Sequence, residues 1–464
     1  MARTCSGFFY FFKACALFVF GHFFITFLGD FYVINGIGYK KGIRRRFIAV
    51  LKLQWAMIFC SWVIYRQLMV FFESPFTIFC TYLKPASFSA EIWKRRASKT
   101  LLVFLLLSHL TYLLYYVDGL IQWVLFQICS ISLGIWTHLV FFCFGFFVLN
   151  HLLMFAKRFE RCAIAFEKLR KIRLIQRFLW DIQFQALFCV TVSLSISLLC
   201  YASSDYIFIR TAELSIANLP QKAEGLRIAI ISDLHAGGAV HRNQIAHVVD
   251  RTNEMDVDAV FIVGDLTDGT IEHLESRIEP LRHLKSRLGT FMVTGNHDYY
   301  FDDALAWIRL FKSYGIKVLT NTKTDLEGIC LVGLNDISSG KSGIPNHEMN
   351  ISKVILECES SKPVIVLSHN PASVKHITES NLSYNGIDLI ISGHTHSGQF
   401  YVMLPFIYLL LPYVHGLYNV PMNFVGHQAI LLVSAGTLYQ GPPMKMPFYS
   451  NIWEICLNQI VEHD

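Results

Sequence analysis

Five short motifs in the C-terminal half of the chain carry Asp, Asn and His residues, whose oxygen and imidazole nitrogen atoms ligate divalent metal ions. One such motif alone is weak evidence, because a lone Asp or His more often caps a strand or satisfies a polar neighbour. Five motifs in one chain predict a metal centre. In chain order they are Asp233-Leu234-His235, Gly264-Asp265, Gly295-Asn296-His297-Asp298, Ser368-His369 and Gly393-His394-Thr395-His396.

Each motif ends a short apolar run, which is typical of a buried strand. Ligands at the ends of neighbouring strands can converge on one point while the sheet holds them rigidly. The pattern therefore predicts that the five motifs form a single site. The runs cover residues 226–232, 259–264, 290–295, 363–368 and 388–393.

Helical spacing separates several of these runs. Apolar residues recur every three or four positions over residues 242–254, 271–287 and 302–314, with Asp302 at the N-cap position of the last segment. Strands that alternate with helices predict an α/β fold with a β-sheet core.

The motifs also resemble a known family. Four phrases are similar to the signature of calcineurin-like metallophosphoesterases, and the resemblance covers about residues 214–457. It implies a C-terminal α/β metallophosphoesterase domain with two mixed β-sheets sandwiched by helices. The apolar N-terminal half adds a resemblance in kind to vertebrate transmembrane proteins with a metallophosphoesterase domain. The phrases are Ile231-Ser232-Asp233-Leu234-His235, Gly264-Asp265-Leu266-Thr267-Asp268, Gly295-Asn296-His297-Asp298 and Gly393-His394-Thr395-His396-Ser397-Gly398-Gln399.

The resemblance implies two divalent metal ions (Mn, Fe, Zn or similar), each with four protein ligands. Two cations at short distance need an anion between them, since like charges repel strongly there. A carboxylate with two oxygens suits that role, and the resemblance places Asp265 between the ions. One ion takes Asp233, His235, Asp265 and His396, and the other takes Asp265, Asn296, His369 and His394.

Such a centre neutralises the charge of a phosphoryl group and lowers the pKa of a water to make hydroxide. The resemblance implies that His297 is not a metal ligand but a general acid, or a donor to the phosphoryl group. Asp268 and Asp298 are expected behind the ligands, where they orient an imidazole or a loop. The predicted reaction is hydrolysis of a phosphoester or pyrophosphate by metal-activated hydroxide.

The composition of the chain changes near Ser203. Apolar residues dominate before this point, and the polar residues of an ordinary soluble domain follow it, so the mean hydropathy of +0.42 averages two different halves. Because a membrane helix needs about 20 mostly apolar residues, we expect a multi-pass transmembrane region of about five helices over residues 1–203. Residues 204–464 form the predicted metallophosphoesterase domain. The predicted spans are 8–32, 50–71, 101–117, 127–155 and 182–200.

Positive charge predicts the orientation of the membrane region. With five spans, the second and fourth loops lie on the side of the N-terminus and carry most of the Lys and Arg residues, including the run 157–177. Cytosolic loops are enriched in these residues. We therefore expect a cytosolic N-terminus and a catalytic domain on the lumenal or extracellular face. The glycosylation sequons that begin at Asn350 and Asn381 fit that side.

Two other features bound the function. The net charge of +6 lies mostly in short loops beside apolar spans, so it does not predict a nucleic-acid partner. Cys330, Cys358 and Cys456 are too few and too widely spaced for a disulfide framework or a CxxC zinc site, although they leave room for one disulfide.

Two segments leave alternatives open. The apolar stretch 400–417, broken by Pro405 and Pro412, is either a folded lid or core loop, or a segment that touches lipid beside the site. The tail from Ser434 to Lys445 loosely resembles a segment of related bacterial enzymes that often bears an arginine. There Lys445 would offer a phosphate a point charge instead of a guanidinium fork.

The sequence therefore predicts a membrane-anchored dinuclear-metal phosphohydrolase, with the lipid bilayer and a phosphorylated substrate as its partners. The anchor and the apolar stretch favour a lipid or membrane-associated substrate. The alternative is a membrane scaffold or receptor whose metal domain binds phosphorylated ligands without turnover. His297 favours the enzyme, because a binding module has no need of a leaving-group acid.

Overall fold

The computed structural model of the chain describes residues 13, 15–27, 29, 39–72, 90–115, 120–301, 304–379, 386–422 and 428–460. It contains two compact units. The helical unit comprises Met1–Tyr115 and Ile128–Leu198, and the sheet unit comprises Tyr116–Gln127 and Leu199–Asp464.

Long apolar helices form the membrane region. Within the described residues, four of them contain a stretch that is long and apolar enough to cross a membrane, and these match the second to fifth predicted spans. In the predicted first span the structure describes a shorter apolar helix over Cys15–Phe27. Apart from Lys13 and Gly29, the rest of that span lies outside the described residues. The four helices are α1 (Tyr39–Met69), α2 (Ala90–Leu114), α3 (Leu120–Ala156) and α6 (Ile182–Ser203).

Polar side chains connect three of these helices inside the helical unit. The Trp136 indole donates to Ser61 Oγ at 2.9 Å, and Ser61 Oγ lies 3.0 Å from Nε2 of His109. The other ring nitrogen of His109 lies 2.7 Å from Gln54 Oε1. Hydrogen bonds of this kind satisfy polar groups between helices in lipid, so His109 occupies a packing position.

Two short helices carry the basic run 157–177 that joins α3 to α6. They are α4 (Glu160–Arg170) and α5 (Arg173–Trp180), and neither contains a buried residue. This exposure suits a charged connection outside the hydrocarbon.

The sheet unit contains two six-stranded mixed sheets, which confirms the predicted fold class. The first sheet has the order β1-β12-β2-β3-β4-β5 and the second has the order β10-β11-β9-β8-β7-β6. In the first sheet the strands are β1 (Phe208–Ile216), β2 (Leu226–Ile231), β3 (Ala259–Val263), β4 (Thr290–Val293), β5 (Lys317–Val318) and β12 (Asn451–Gln459). In the second they are β6 (Thr322–Leu326), β7 (Ile329–Gly333), β8 (Val364–Leu367), β9 (Leu389–Ser392), β10 (Gly416–Pro421) and β11 (Gln428–Val433).

Alternate residues of the strands pack between the two sheets. Ile228 and Phe261 of the first sheet share one buried cluster with Leu331, Ile365 and Ile391 of the second. Because strand side chains alternate between faces, the residues in between point outward and pack against helices. Among these helices, α10 (Ile351–Ile355) and α11 (Ser373–Glu379) pack against the second sheet. The other helices of the sheet unit are α7 (Arg242–Asn253), α8 (Ile271–Ile278), α9 (Ala304–Ser313) and α12 (Leu404–Leu410).

One predicted helix was too long. The segment predicted as 271–287 is helical only to Ile278, and a 3₁₀ turn over Glu279–His283 follows it. Pro280 explains the difference, because proline cannot donate the backbone hydrogen bond that a helix interior requires. Asp302, the predicted N-cap of the next helix, lies outside the described residues.

A disulfide joins β7 to the segment after α10. Cys330 and Cys358 are both buried, 28 residues apart, with their Cα atoms 5.9 Å apart. Cys456, on β12, is a half-buried free thiol. The structure thus settles a pairing that the spacing of the cysteines left open.

Replacing Cys330 and Cys358 together by Ala is expected to destabilise the sheet unit. Closing a loop of 28 residues restricts the unfolded chain, and this is worth roughly 3.5 kcal/mol in the chain-entropy account. Urea unfolding of the full chain in detergent measures the change, and Cys456→Ala is the matched control that removes a free thiol. Alkylation of both Cys330 and Cys358 in unreduced, folded protein would contradict the pairing.

Candidate metal centre

The five predicted motifs follow five strands of the sheet unit. Three of the strands (β2, β3 and β4) are neighbours in the first sheet, and two (β8 and β9) are neighbours in the second. Backbone hydrogen bonds join the loops at these ends: Asp233 N donates to Gly264 O at 3.0 Å, and Gly393 N donates to His369 O at 2.8 Å. The fold therefore brings all five motifs to one place.

One group of ligand atoms consists of Asp233, His235 and His396. These atoms lie within 4.8 Å of one another. The Nε2 atoms of His235 and His396 are 2.9 Å apart, and Nε2 of His396 is 3.5 Å from Asp233 Oδ1. Two imidazole nitrogens that face each other and a carboxylate at this distance are suited to share one cation.

A second group consists of Asp265, His369 and His394. His369 Nε2 lies 3.1 Å from Asp265 Oδ2 and 3.2 Å from His394 Nδ1. The opposite ring nitrogen, Nδ1 of His369, donates to Val263 O at 2.7 Å. That hydrogen bond directs the lone pair of Nε2 toward the group, which is the tautomer that a metal ligand needs.

Asp265 lies between the two groups. Its Oδ2 is 3.7 Å from Nε2 of His235 and 3.1 Å from Nε2 of His369. Its Oδ1 accepts a hydrogen bond from the backbone N–H of His297 at 2.8 Å. A third group of ligand atoms joins His235 and Asp265 to His297.

Asn296 presents a carbonyl oxygen with no protein partner. Its side chain is buried, its Nδ2 donates to the Tyr300 hydroxyl at 2.7 Å, and its Oδ1 has no hydrogen-bond partner among the described residues. An unpaired buried carbonyl is costly. A cation would satisfy it, and Tyr300 fixes the amide so that the oxygen is the atom presented.

The charges of the site fit bound cations. Burial raises the pKa of Asp265, but the imidazoles of His369 and His297 outweigh it and hold that pKa well below its usual range. Burial lowers the pKa of His235, but the carboxylate of Asp268 and its neighbours raise it to about 9. Ionised carboxylates in this buried site thus depend on positive charge beside them. The residues present fit divalent metal cations in place of these protons.

Unusual backbone conformations help to orient the predicted ligand side chains. Five predicted ligands have φ values between 48° and 73°, in the left-handed region that residues other than glycine rarely occupy. Such conformations cost free energy and persist where the surrounding structure enforces them, often at functional sites. The five are Asp233, His235, Asp265, His394 and His396.

Asp268 holds two imidazoles at once. Its Oδ1 accepts from Nδ1 of His235 at 3.0 Å and from Nδ1 of His297 at 2.6 Å. Although burial raises the pKa of Asp268, these two histidines keep it below its usual range. The Nε2 of His297 faces away from Asp268 and lies 2.8 Å from the Gln440 amide nitrogen.

The carboxylate of Asp298 accepts hydrogen bonds from backbone N–H groups and not from an imidazole. Its two oxygens accept from the backbone N–H groups of Gly295 at 2.8 Å, Leu266 at 3.1 Å and Asp265 at 3.2 Å. Burial and the neighbouring carboxylate of Asp265 raise the pKa of Asp298 to about 6. This carboxyl therefore positions the turn that carries Asp265.

Sequence reasoning missed three residues of the site. Gln440 and Tyr300 carry no motif. The fold brings Gln440 to His297, 143 residues away along the chain, whereas Tyr300 lies in the turn just after Asn296. Asp336 follows β7. Burial lowers the pKa of His369, but the carboxylates of Asp265, Asp233 and Asp336 raise it well above its usual value. A polar residue after a buried strand is the signal that identified the other motifs, and it would have found Asp336.

The expected phosphate contact of Lys445 was wrong. Its side chain is fully buried, and its ammonium donates to Gly436 O at 2.7 Å and to Leu438 O at 2.5 Å. Burial lowers the pKa of Lys445 to about 7. The lysine therefore fixes the loop behind Asp233 instead of facing a substrate.

Known proteins resemble this chain in sequence. The sequence model of the calcineurin-like phosphoesterases matches residues 226–398. A transmembrane protein with metallophosphoesterase domain from Danio rerio is 33% identical over 370 residues, which are 77% of this chain and 79% of that relative. The chain belongs to this family of transmembrane metallophosphoesterases.

Two further relatives match a shorter part of this metallophosphoesterase. A transmembrane protein with metallophosphoesterase domain from Bos taurus is 34% identical over 259 residues, covering 54% of this chain and 56% of the relative. An uncharacterized metallophosphoesterase from Helicobacter pylori is 34% identical over 224 residues, covering 47% of this chain and 56% of the relative. The chain thus spans little more than half the length of these two proteins.

Asp298→Asn is expected to weaken metal binding roughly 10–100-fold, the usual cost of losing a partner behind the ligands. An amide nitrogen would replace one of the oxygens that accept the N–H groups of Gly295, Leu266 and Asp265. Competition with a fluorescent chelator measures the affinity of the full chain. Asp250→Asn, at an exposed position on α7, is the matched control. Unchanged affinity in the Asp298 variant would rule out this role.

Proposed function

We propose that the chain is a membrane-anchored phosphohydrolase that cleaves a phosphoester or pyrophosphate at a dinuclear metal centre. The observation that carries the proposal is the position of Asp265 Oδ2, 3.7 Å from Nε2 of His235 and 3.1 Å from Nε2 of His369. A carboxylate between two sets of ligands suits two cations that share it. Those ions would polarise the phosphoryl oxygens and lower the pKa of a water.

The seven proposed ligands divide as the sequence predicts. The first set is Asp233, His235, Asp265 and His396, and the second is Asp265, Asn296, His369 and His394. Support comes from the two groups of ligand atoms, from the unpaired Asn296 oxygen and from the ring nitrogens fixed by Asp268 and Val263.

His297 is the proposed proton donor to the leaving oxygen. Since its Nδ1 donates to Asp268, the opposite nitrogen is the one that can exchange a proton with a substrate. In the present structure the Gln440 amide lies beside that nitrogen. A leaving oxygen would take the place of this amide, and the Asp268 carboxylate would stabilise the imidazolium before the transfer.

The receptor alternative lacks a comparable observation. A domain that only binds phosphorylated ligands would use Asp268 to orient the proposed ligand His235, but it has no use for the second hydrogen bond of Asp268, at 2.6 Å to His297. The pair of Asp268 and His297 therefore favours turnover. For the substrate we propose a lipid or membrane-associated phosphoester, on the support of the membrane-spanning helices that the chain carries.

Two variants separate the ligands from the proton donor. Asp265→Asn should lose metal and hydrolysis of an aryl phosphate together, because it removes the shared charge. His297→Ala should keep most of the metal but lose roughly 10²–10⁴ in rate. Elemental analysis and initial rates on the full chain in detergent, before and after chelation, are the measurements.

His283→Ala, an exposed histidine of the same unit, is the matched control and should change neither quantity. The His297 loss should shrink for a substrate whose leaving group needs no proton. Metal loss in the His297 variant would make it a ligand, and full activity after exhaustive chelation would end the proposal.

We propose that the sheet unit lies on the lumenal or extracellular side of the membrane. The basic run in α4 and α5 precedes α6, and α6 leads directly into the sheet unit. If the basic run is cytosolic, as its eight Lys and Arg residues favour, the sheet unit lies on the opposite side. This argument counts back from the sheet unit, so it does not depend on the first predicted span. The Cys330–Cys358 disulfide supports it, because disulfides persist in oxidising compartments.

Glycosylation tests this orientation. Asn350 and Ser352 are exposed, and the Asn350 side chain uses only its oxygen, which accepts from Lys353 N at 3.1 Å. In microsomes, Asn350→Gln and Ser352→Ala should each remove one glycan from the full chain, whereas Asn346→Gln, outside any sequon, should not. The residues around Asn381 lie outside the described structure. Digestion of a C-terminal tag by protease added outside sealed microsomes would place the sheet unit in the cytosol.

A further inference from the structure

The predicted apolar stretch 400–417 forms a short helix with exposed apolar side chains. After a 3₁₀ turn over Tyr401–Met403, helix α12 (Leu404–Leu410) contains no buried residue. Leu409 is 82% exposed and Leu410 is 73% exposed, and Leu417 at the start of β10 is 44% exposed. Helix α12 therefore lies outside the core, although Phe400, Val402 and Val414 on either side of it are buried. Clustered exposed apolar residues mark interaction surfaces.

This helix packs on the loop that carries His396. A Cβ atom added to Gly398 would lie 2.8 Å from Ile407 Cγ1, so the helix sits directly against the backbone of that loop. The next residue, Gln399, donates from its amide to Gln440 O at 3.0 Å, and Gln440 lies against His297. The exposed helix and the candidate site therefore share one continuous piece of structure.

The same piece of structure is bonded to the end of α6. The last turn of α6, from Leu199 to Ser203, belongs to the sheet unit. Lys445 N donates to Cys200 O at 3.0 Å, and the Ser203 hydroxyl donates to Lys445 O at 2.8 Å. Met446 N then donates to Gln399 O at 3.1 Å. Two residues of the tail thus join the end of a membrane-spanning helix to the loop that precedes α12.

Aromatic side chains extend the exposed surface around Tyr449. The His415 ring lies 4.9 Å from the Tyr449 ring, and the Tyr408 hydroxyl lies 3.5 Å from His415 Nδ1. Tyr401, in the 3₁₀ turn that precedes α12, is 37% exposed. Tyrosine is enriched at the depth of lipid headgroups, where its ring is apolar and its hydroxyl is wet.

We propose that this surface docks onto the bilayer that α6 crosses, with the leucines of α12 in the outer acyl region and the tyrosines among the headgroups. We call it the α12 patch and define it by Tyr401, Tyr408, Leu409, Leu410, Leu417 and Phe448. Its occupant is lipid because the patch is continuous with the end of a spanning helix within one compact unit. Because α6 tethers the patch beside the membrane, docking costs less translational and rotational entropy than it would cost a soluble protein.

Docking would hold the candidate site at the level of lipid phosphates. This step rests on the proposed phosphohydrolase, and it names the substrate class as a phosphoester or pyrophosphate attached to a membrane lipid. The docking itself depends only on the exposed side chains and on their continuity with α6.

Photo-crosslinking of the full chain tests the docking. Benzoyl-phenylalanine replaces Leu409 or Leu417 in protein reconstituted in phosphatidylcholine vesicles that contain alkyne-tagged phosphatidylcholine. Two controls are matched in exposure: Leu356, 75% exposed, for Leu409, and Leu305, 44% exposed, for Leu417. Leu356 follows α10, which packs beside β6, whereas Leu417 lies on β10 at the opposite edge of the same sheet.

Lipid label several-fold above the paired control at both patch positions is the expected result. Equal labelling within both pairs would overturn the docking, and so would crosslinks at Leu409 that join two copies of the chain instead of lipid. Hydrolysis of a soluble aryl phosphate, measured in the same vesicles, tests the proposed phosphohydrolase activity independently of the docking. If the lipid crosslinks form but no hydrolysis is detected, the proposed activity is contradicted and the proposed docking still stands.

Discussion

The burial of Asp265 is the constraint on which the architecture of the sheet unit depends. A buried carboxylate is stable only if it is paired and hydrogen-bonded, and here backbone and imidazoles from several loops do both. Gly264, with φ +79°, and Gly295 leave room for the Asp265 side chain. A Cβ atom at Gly295 would lie only 2.2 Å from Asp265 Oδ1. The loops after β3 and β4 therefore approach each other closely because they share one charged side chain.

This charge also explains why the chain uses two sheets. The first sheet supplies Asp233, His235 and Asp265, whereas His369 and His396 follow strands of the second. The apolar cluster between the sheets fixes their separation, so imidazoles and carboxylates from different layers meet within hydrogen-bonding distance. A site built from loops alone would not hold five ligands in left-handed backbone conformations.

The tail of the chain connects this site to the last turn of α6. Lys445 is buried and donates to two carbonyl oxygens of its own loop, while its backbone N–H and C=O bond to the end of α6. The same loop carries Gln440, which lies 2.8 Å from His297. One short segment thus links a helix able to span the membrane, the proposed proton donor and the base of the α12 patch.

Local signals in the sequence predicted most of the fold class. The apolar lengths identified four of the spans, and the polar residues after buried strands identified the motifs, because hydropathy and strand ends are properties of neighbouring residues. Pro280 was such a local signal too, and giving it its full weight would have ended the predicted helix at Ile278. The predicted ligands meet in one place because each follows a strand whose neighbours the alternating pattern implied.

Tertiary structure alone decided the contacts between residues distant along the chain. It paired Cys330 with Cys358, turned Lys445 away from the substrate side and placed Gln440 beside His297. None of these contacts leaves a periodicity or a spacing in the sequence. The amino-acid sequence determined which side chains can carry the charge of the centre, and only the packing of two sheets determined which neighbours hold each of them in place.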